Sequence, residues 1–337
     1  MNRIGIIGAG AWGTALAIVL RGAGRQVTLW AYEAELVEAI NSRHENPLYL
    51  PGIALDPAIR ATAALAGLAD AEALLLVTPA QETRAILARL APQLAPGAPI
   101  IVCAKGIERH TGALMSEVAA EVLPETPLAV LSGPSFAAEV ARGLPTALTL
   151  ACEDAGLGAL LLAGIGSARF RPYLSDDLVG AQIGGAVKNV IAIACGIVAG
   201  RRLGDNARAA LITRGLAEMA RIGLAKGAHP ETFMGLSGLG DLTLTCNGAQ
   251  SRNFSLGVAL GEGRALAAVL GERRSVAEGV TTAISTVELA SRLGVEMPIS
   301  RAVHGVLHEG AAIDATIEAL LSRPFRSERL GGATAGA

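Results

Sequence analysis

Residues 3–30 read RIGIIGAGAWGTALAIVLRGAGRQVTLW, and their order decides the fold of the first half of the chain. Arg3–Ile7 is a short apolar run of strand type, and Gly8-Ala9-Gly10-Ala11-Trp12-Gly13 follows at once. Residues 14–20 continue with helical composition, Gly22 and Gly24 break it, and Gln26–Trp30 reads as a second strand. A G-x-G-x-x-G match carries weight when it joins a strand to a helix, as here. Gly8 permits the tight turn, Gly10 lets the backbone approach a pyrophosphate, and Gly13 lets helix and strand pack closely. Amides at the helix start would receive the phosphates. The stretch predicts a dinucleotide site.

Outward from it, 73–77, 99–103 and 128–131 read as further strands, with helix-like stretches at 82–94 and 114–122 between them. Such alternation predicts a parallel, doubly wound sheet. Ligands bind beyond the carboxyl ends of its strands, where Lys105 and the Gly133-Pro134-Ser135 turn fall. A lone surface lysine is otherwise simply solvated. Glu33 lies about 20 residues after the last glycine, where an acidic side chain accepts a ribose 2′-hydroxyl. It reads equally well as a solvated charge opening a helix over 33–40. No Arg occupies 31–35, so nothing there obviously holds a 2′-phosphate, and NAD versus NADP stays open.

After about residue 175 the strand pattern stops, and helical segments follow at 178–199, 207–227, 254–260, 265–270, 281–293 and 299–308. The expected organisation is a dinucleotide-binding domain over 1–175, a helical substrate domain over 176–326, and an unstructured tail over 327–337. The fold class is therefore an α/β Rossmann-type doubly wound N-terminal domain plus an all-α C-terminal domain. Within it, Lys188 stands alone in LVGAQIGGAVKNVIAIACGIVAG (178–200). Burial there disfavours the charged form and lowers the lysine pKa, which suits a proton donor to a carbonyl. Two plainer readings compete. The run is long enough to cross a bilayer, and its glycine pairs (180 and 184, 196 and 200) resemble a membrane helix-packing pattern. Against this, a central charge costs about 2.5–3.5 kcal/mol even on the insertion scale. A lysine that snorkels from a soluble helix is as good a reading of the segment alone.

The chain has 337 residues, 51% of them hydrophobic and 3% aromatic, so small aliphatic side chains must build its cores by close packing. A net charge of −2 gives no general electrostatic reason to bind nucleic acid. Cys103, Cys152, Cys195 and Cys246 are scattered, with no CxxC or Cys/His cluster, so no metal site or disulfide framework is expected. The start of the chain lacks signal-peptide features, and a cytoplasmic location is the expectation.

Nine segments, in order and at consistent spacing, carry a family resemblance. They are GAGAWGTALA (8–17), AKGIE (104–108), SGPSFAAEVARGLPTA (132–147), GGAVKNVIAIACG (184–196), ITRGLAEMARIG (212–223), GLSGLGDLTLTC (235–246), QSRN (250–253), VAEG (276–279) and GVEMPI (294–299). The chain resembles bacterial NAD(P)-dependent glycerol-3-phosphate dehydrogenases over residues 4–321. The resemblance implies reversible reduction of dihydroxyacetone phosphate, a phosphorylated triose, to sn-glycerol 3-phosphate for glycerophospholipid synthesis. It assigns proton transfer to Lys188, supported by Lys105 and Asp241. Arg252 would grip the phosphate with its planar fork, flanked by Ser251 and Asn253, with Thr245, Gly133 and Ser135 as further substrate contacts. Gly8, Gly10, Ala11, Trp12, Gly13, Lys105, Ala137, Arg252, Val276 and Glu278 match positions holding NADP or NAD. Taken singly, Trp12 reads as packing, Glu278 as a helix-face charge, and Gly240-Asp241 as a helix cap. Asn189 either orients Lys188 or packs its helix. The resemblance also implies a homodimer, while the charge at the centre of 178–200 argues against a membrane span.

One departure concerns the cofactor. Family members commonly carry a basic residue just after the second strand, where this chain has Ala31-Tyr32. The phosphate-type SRN cluster disfavours a dehydrogenase of small hydroxy acids. The intact proton-transfer residues disfavour a silent NAD(P)-binding sensor.

Overall fold

The computed structural model describes residues 1–272 and 277–325. The segment 327–337, read above as a tail, lies outside the described residues. The chain forms two compact units: Met1–Glu108 with Ala113–Gln182, and Arg109–Gly112 with the chain from Ile183 onward. The division passes within one helix.

The first unit contains β1 (Arg3–Ile7), β2 (Gln26–Trp30), β3 (Glu45–Asn46), β4 (Leu50–Ala54), β5 (Arg60–Thr62), β6 (Ala73–Leu76), β7 (Ile100–Val102), β8 (Leu128–Ser132), β9 (Thr146–Ala151) and β10 (Phe170–Ser175). Its helices are α1 (Ala11–Gly22), α2 (Ala34–Glu38), α3 (Thr83–Leu90), α4 (Met115–Val122), α5 (Ala137–Ala141) and α6 (Ala155–Ile165). An eight-stranded sheet runs β10-β9-β8-β7-β6-β1-β2-β5, and β3 with β4 forms a separate antiparallel hairpin. Pairing is parallel from β5 to β8; β9 then runs antiparallel to β8, and β10 parallel to β9. The central strands read as unbroken apolar runs because both sheet faces are covered. Ile4, Ile6, Leu75 and Ile101 pack with Leu16 and Leu20 of α1 on one face. Ile7, Leu74, Leu76 and Ile100 pack with Leu87 of α3 and Val118 of α4 on the other.

The chain leaves β1 for one side of the sheet and returns at β6 on the other, so β1 and β6 mark the topological switch point. Two differences from the sequence reading stand out. The sheet continues through β9 and β10, which the reading passes over; β9 mixes threonine with apolar residues and β10 carries Pro172, as edge strands tolerate. The helix expected over 33–40 is instead a short α-helix followed by a π-turn, Ala39–Arg43.

The second unit is helical: α7 (Leu178–Gly200, shared with the first), α8 (Asp205–Ala225), α9 (Pro230–Met234), α10 (Asp241–Asn247), α11 (Arg252–Gly261), α12 (Leu266–Gly271), α13 (Glu278–Leu293), α14 (Pro298–His308) and α15 (Ile313–Leu321). Helix α7 is long and apolar enough to cross a membrane, yet 89% of its most apolar window is buried within the protein. Its glycines explain why. A Cβ on Gly196 would sit 2.1 Å from the Phe254 carbonyl oxygen, and one on Gly257 would sit 2.1 Å from that of Ile193. The glycine spacing serves a close crossing of α7 with α11 inside the protein.

Candidate active site

The glycine turn lies where β1 ends beside β6. Gly8 has φ +118°, and a Cβ there would meet the Val77 carbonyl oxygen at 2.7 Å. A Cβ on Gly13 would fall 1.9 Å from the Gly8 oxygen, so helix and turn demand glycine at both places. Gly10 differs, because a Cβ there would meet nothing within 4 Å. It opens α1 without a side-chain cap, which leaves the first-turn amides without a side-chain acceptor from that position. The Trp12 ring lies 6.4 Å from Phe170, and its buried indole N–H has no acceptor among the described residues. An uncapped helix start, clear space before it and an unsatisfied donor fit a bound dinucleotide pyrophosphate.

A feature missed in the sequence braces this turn. Asn46, buried in the β3–β4 hairpin, donates from Nδ2 to the Ala9 carbonyl and to Thr14 Oγ1, both at 2.8 Å. Its Oδ1 accepts from the Tyr49 amide at 2.9 Å, and the Tyr49 hydroxyl donates to Glu33 Oε1 at 2.7 Å. Neither sequence reading of Glu33 included that partner. A ten-residue hairpin with Pro47 and Pro51 offers no periodicity that would have revealed it.

Lys105, Gly133 and Ser135 come together past the ends of β7 and β8. Lys105 Nζ donates to the Gly133 carbonyl at 3.0 Å, and Ser135 Oγ donates to the same oxygen at 3.0 Å. Gly133 has φ +150°, and a Cβ would lie 2.7 Å from that of Leu148, which fixes glycine there. Ala137 begins α5.

In the second unit, Gly184 decides what Lys188 meets. Its missing Cβ would lie 2.2 Å from the Ser237 carbonyl oxygen, so α7 presses on the π-turn Leu236–Gly240. Four residues further along each segment, on the same face of α7, Lys188 meets Asp241. Lys188 Nζ donates to Asp241 Oδ1 and, at 2.9 Å, to Thr245 Oγ1. The Thr245 hydroxyl in turn donates to Asp241 Oδ1 at 3.4 Å. All three side chains are buried, with Lys188 6% exposed and Asp241 fully enclosed. A lone buried ammonium would be costly, but Lys188 is not alone: the Asp241 carboxylate is its ion-pair partner. The snorkelling reading of Lys188 is not what the structure holds.

Interaction with the neighbouring Cys195 thiol and burial push the Cys246 thiol pKa well up. All four cysteines are free and buried, packing as core residues.

The SRN segment begins α11. Ser251 is buried and caps the helix, its Oγ accepting from the Phe254 amide at 3.1 Å. Arg252 is exposed in the first turn. Asn253 is buried: its Nδ2 donates to Asn189 Oδ1 at 2.9 Å, and its Oδ1 accepts from the Gly279 amide at 3.0 Å. One amide thus ties α7, beside Lys188, to α11, beside Arg252, and to the start of α13, beside Glu278. Asn189 packs its own helix against α11, its Nδ2 donating to the Gly185 carbonyl at 3.3 Å. Glu278 is half-buried at the first position of α13. Val276 lies outside the described residues.

The glycine turn at the switch point of a largely parallel sheet, with a buried lysine–carboxylate pair in a helical unit, defines a dinucleotide-dependent oxidoreductase. The family model for the NAD-dependent glycerol-3-phosphate dehydrogenase N-terminus matches residues 3–157, and that for its C-terminus matches residues 177–318. The chain belongs to the NAD-dependent glycerol-3-phosphate dehydrogenase family and is an NAD(P)-dependent enzyme of it. It is 61% identical over 327 residues to glycerol-3-phosphate dehydrogenase (NAD(P)+) of Parvibaculum lavamentivorans, covering 97% of this chain and 98% of that protein. It is 61% identical over 329 residues to the same-named protein of Rhodospirillum rubrum, covering 97% and 94%. The crystal structure of glycerol-3-phosphate dehydrogenase from Coxiella burnetii superposes with a TM-score of 0.92 at 40% identity, covering 96% of this chain and 99% of that one.

Proposed function

We propose that the chain catalyses the reversible reduction of dihydroxyacetone phosphate to sn-glycerol 3-phosphate with NADH or NADPH. The observation that carries this reading is the buried Lys188–Asp241–Thr245 cluster in a chain of this family. The nicotinamide, when bound, supplies the hydride that converts the ketone carbon to an alcohol carbon. Lys188 holds the proton at Nζ and delivers it to the ketone oxygen as negative charge develops there. Asp241 keeps the ammonium charged and aimed, and the Thr245 hydroxyl fixes its second hydrogen-bond direction. Arg252, at the start of α11, grips the phosphate with its fork, aided by the amides of that helix end. Ser251 and Asn253 hold that end in shape, and the remaining Asn253 N–H and Ser251 hydroxyl hydrogens are available to phosphate oxygens. Lys105, braced with Ser135 on the Gly133 carbonyl, polarises substrate oxygens.

Gly8, Gly10, Ala11, Trp12, Gly13, Lys105, Ala137, Arg252, Val276 and Glu278 hold the cofactor in this reading. Residues 1–175 serve as the cofactor domain and 176–326 as the substrate domain. The enzyme works as a cytoplasmic homodimer that supplies the glycerophospholipid backbone. An absorbance assay of NADH and NADPH oxidation tests the reaction. Rapid oxidation with dihydroxyacetone phosphate and slow oxidation with dihydroxyacetone is expected; equal rates with both ketones would refute the phosphate grip.

A further inference from the structure

We infer that Tyr49 is a specificity-determining residue: its hydroxyl holds the Glu33 carboxylate where it accepts the adenosine ribose 2′-hydroxyl, so the chain selects NADH over NADPH. The inference rests on the dehydrogenase reading and names which cofactor that site takes. Glu33 stands three residues past the end of β2 and is the N-cap residue of α2, yet its side chain makes no capping bond. Its Oε1 accepts the Tyr49 hydroxyl at 2.7 Å. An acidic side chain at this place in a strand–turn–helix–strand unit accepts from the ribose.

The geometry is braced at both ends. Tyr49 is anchored through its amide to Asn46, and Asn46 grips Ala9 and Thr14 of the glycine turn. The hairpin thus fixes the distance between the phosphate-receiving turn and the ribose-reading carboxylate. With Oε1 satisfied by Tyr49, Oε2 is left for the 2′-hydroxyl. The hydrogen bond to Glu33, with burial and the Glu33 charge, raises the Tyr49 pKa, so the phenol remains a donor at neutral pH. A 2′-phosphate would bring about two negative charges against Glu33. Residues 31–35 offer it no counter-charge: Tyr32 stands there 79% exposed, and Glu33 and Glu35 are the charges present.

Calorimetric titration of the full chain with ADP-ribose and with 2′-phospho-ADP-ribose reads this directly, without turnover. The unaltered protein should prefer ADP-ribose by about 100-fold, the scale on which like-charge juxtaposition discriminates. Glu33→Gln should bring the ratio to within about threefold, mainly by admitting the 2′-phosphate, since removing the charge removes the repulsion. Tyr49→Phe should lower the ratio to an intermediate value. A merely structural role for Tyr49 would weaken both ligands in parallel and leave the ratio intact; that result overturns the inference. A ratio near one in the unaltered protein, or an unchanged ratio in Glu33→Gln, overturns it whatever Tyr49→Phe does. Reduction of dihydroxyacetone phosphate is assayed separately. No turnover with either cofactor would end the dehydrogenase reading, while the binding ratios still decide the roles of Tyr49 and Glu33.

Discussion

The Lys188 ammonium on α7 is hydrogen-bonded to the Asp241 carboxylate, 53 residues later in the chain, and both side chains are buried. Such a pair stands only while both members are present. Removing the acid leaves a buried charge uncompensated, at a cost of about 3–5 kcal/mol. Asp241→Ala should therefore lower unfolding stability by about that amount, as read by urea titration. Lys188→Met with Asp241→Leu should recover much of the loss. If the double variant were no more stable than Asp241→Ala, the charge pair would not be what holds this region.

Two glycine substitutions, one inside the α7–α11 crossing and one outside it, should shift stability in opposite directions. Gly196→Ala drives a methyl group against the Phe254 carbonyl and should destabilise by about 1–3 kcal/mol or more. Gly22→Ala, at the end of α1 with nothing within 4 Å of the new Cβ, should stabilise by up to about 1 kcal/mol through backbone entropy. Denaturant midpoints compare the two; equal and small shifts would contradict the close crossing.

Glu218 on α8 receives the start of α14. Its carboxylate accepts from the Ile299 and Ser300 amides and, at 2.9 Å, from the Ser300 hydroxyl. Burial nevertheless raises its pKa, opposed by these bonds and by the nearby Arg221 charge. With the folded pKa raised, its favourable contribution is complete below the unfolded value of about 4.3 and is lost as pH climbs through the folded one. The stability of the unaltered protein relative to Glu218→Gln should therefore fall as pH rises through that window. A constant difference between the two unfolding curves across it would show that Glu218 does not titrate differently on folding.

Arg252→Lys keeps a positive charge but loses the planar fork. The Michaelis constant for dihydroxyacetone phosphate should rise on the order of tenfold or more, with a smaller change in kcat. An unaltered Michaelis constant would move the phosphate grip elsewhere.

The parallel strands were legible because burial on both faces leaves unbroken apolar runs such as Leu74–Leu75–Leu76. Lys188 was legible because a single charge interrupts a long apolar helix. What escaped reading depends on partners distant in sequence. Asn253 reads as a surface donor beside Arg252, yet it is buried between Asn189 and Gly279, 64 and 26 residues away. The bilayer-like glycine spacing of α7 acquires meaning only beside the matching glycines of α11. The Tyr49–Glu33 bond depends on a hairpin too short to show any period.

Turnover by Lys188→Ala tests the central claim most directly, measured as NAD(P)H oxidation with dihydroxyacetone phosphate beside a titration of cofactor binding. Rate should drop roughly 10²–10⁴-fold with cofactor affinity preserved, and added methylamine should restore part of it by supplying the missing ammonium. A variant that turns over near the parental rate would contradict the assignment of the proton to Lys188.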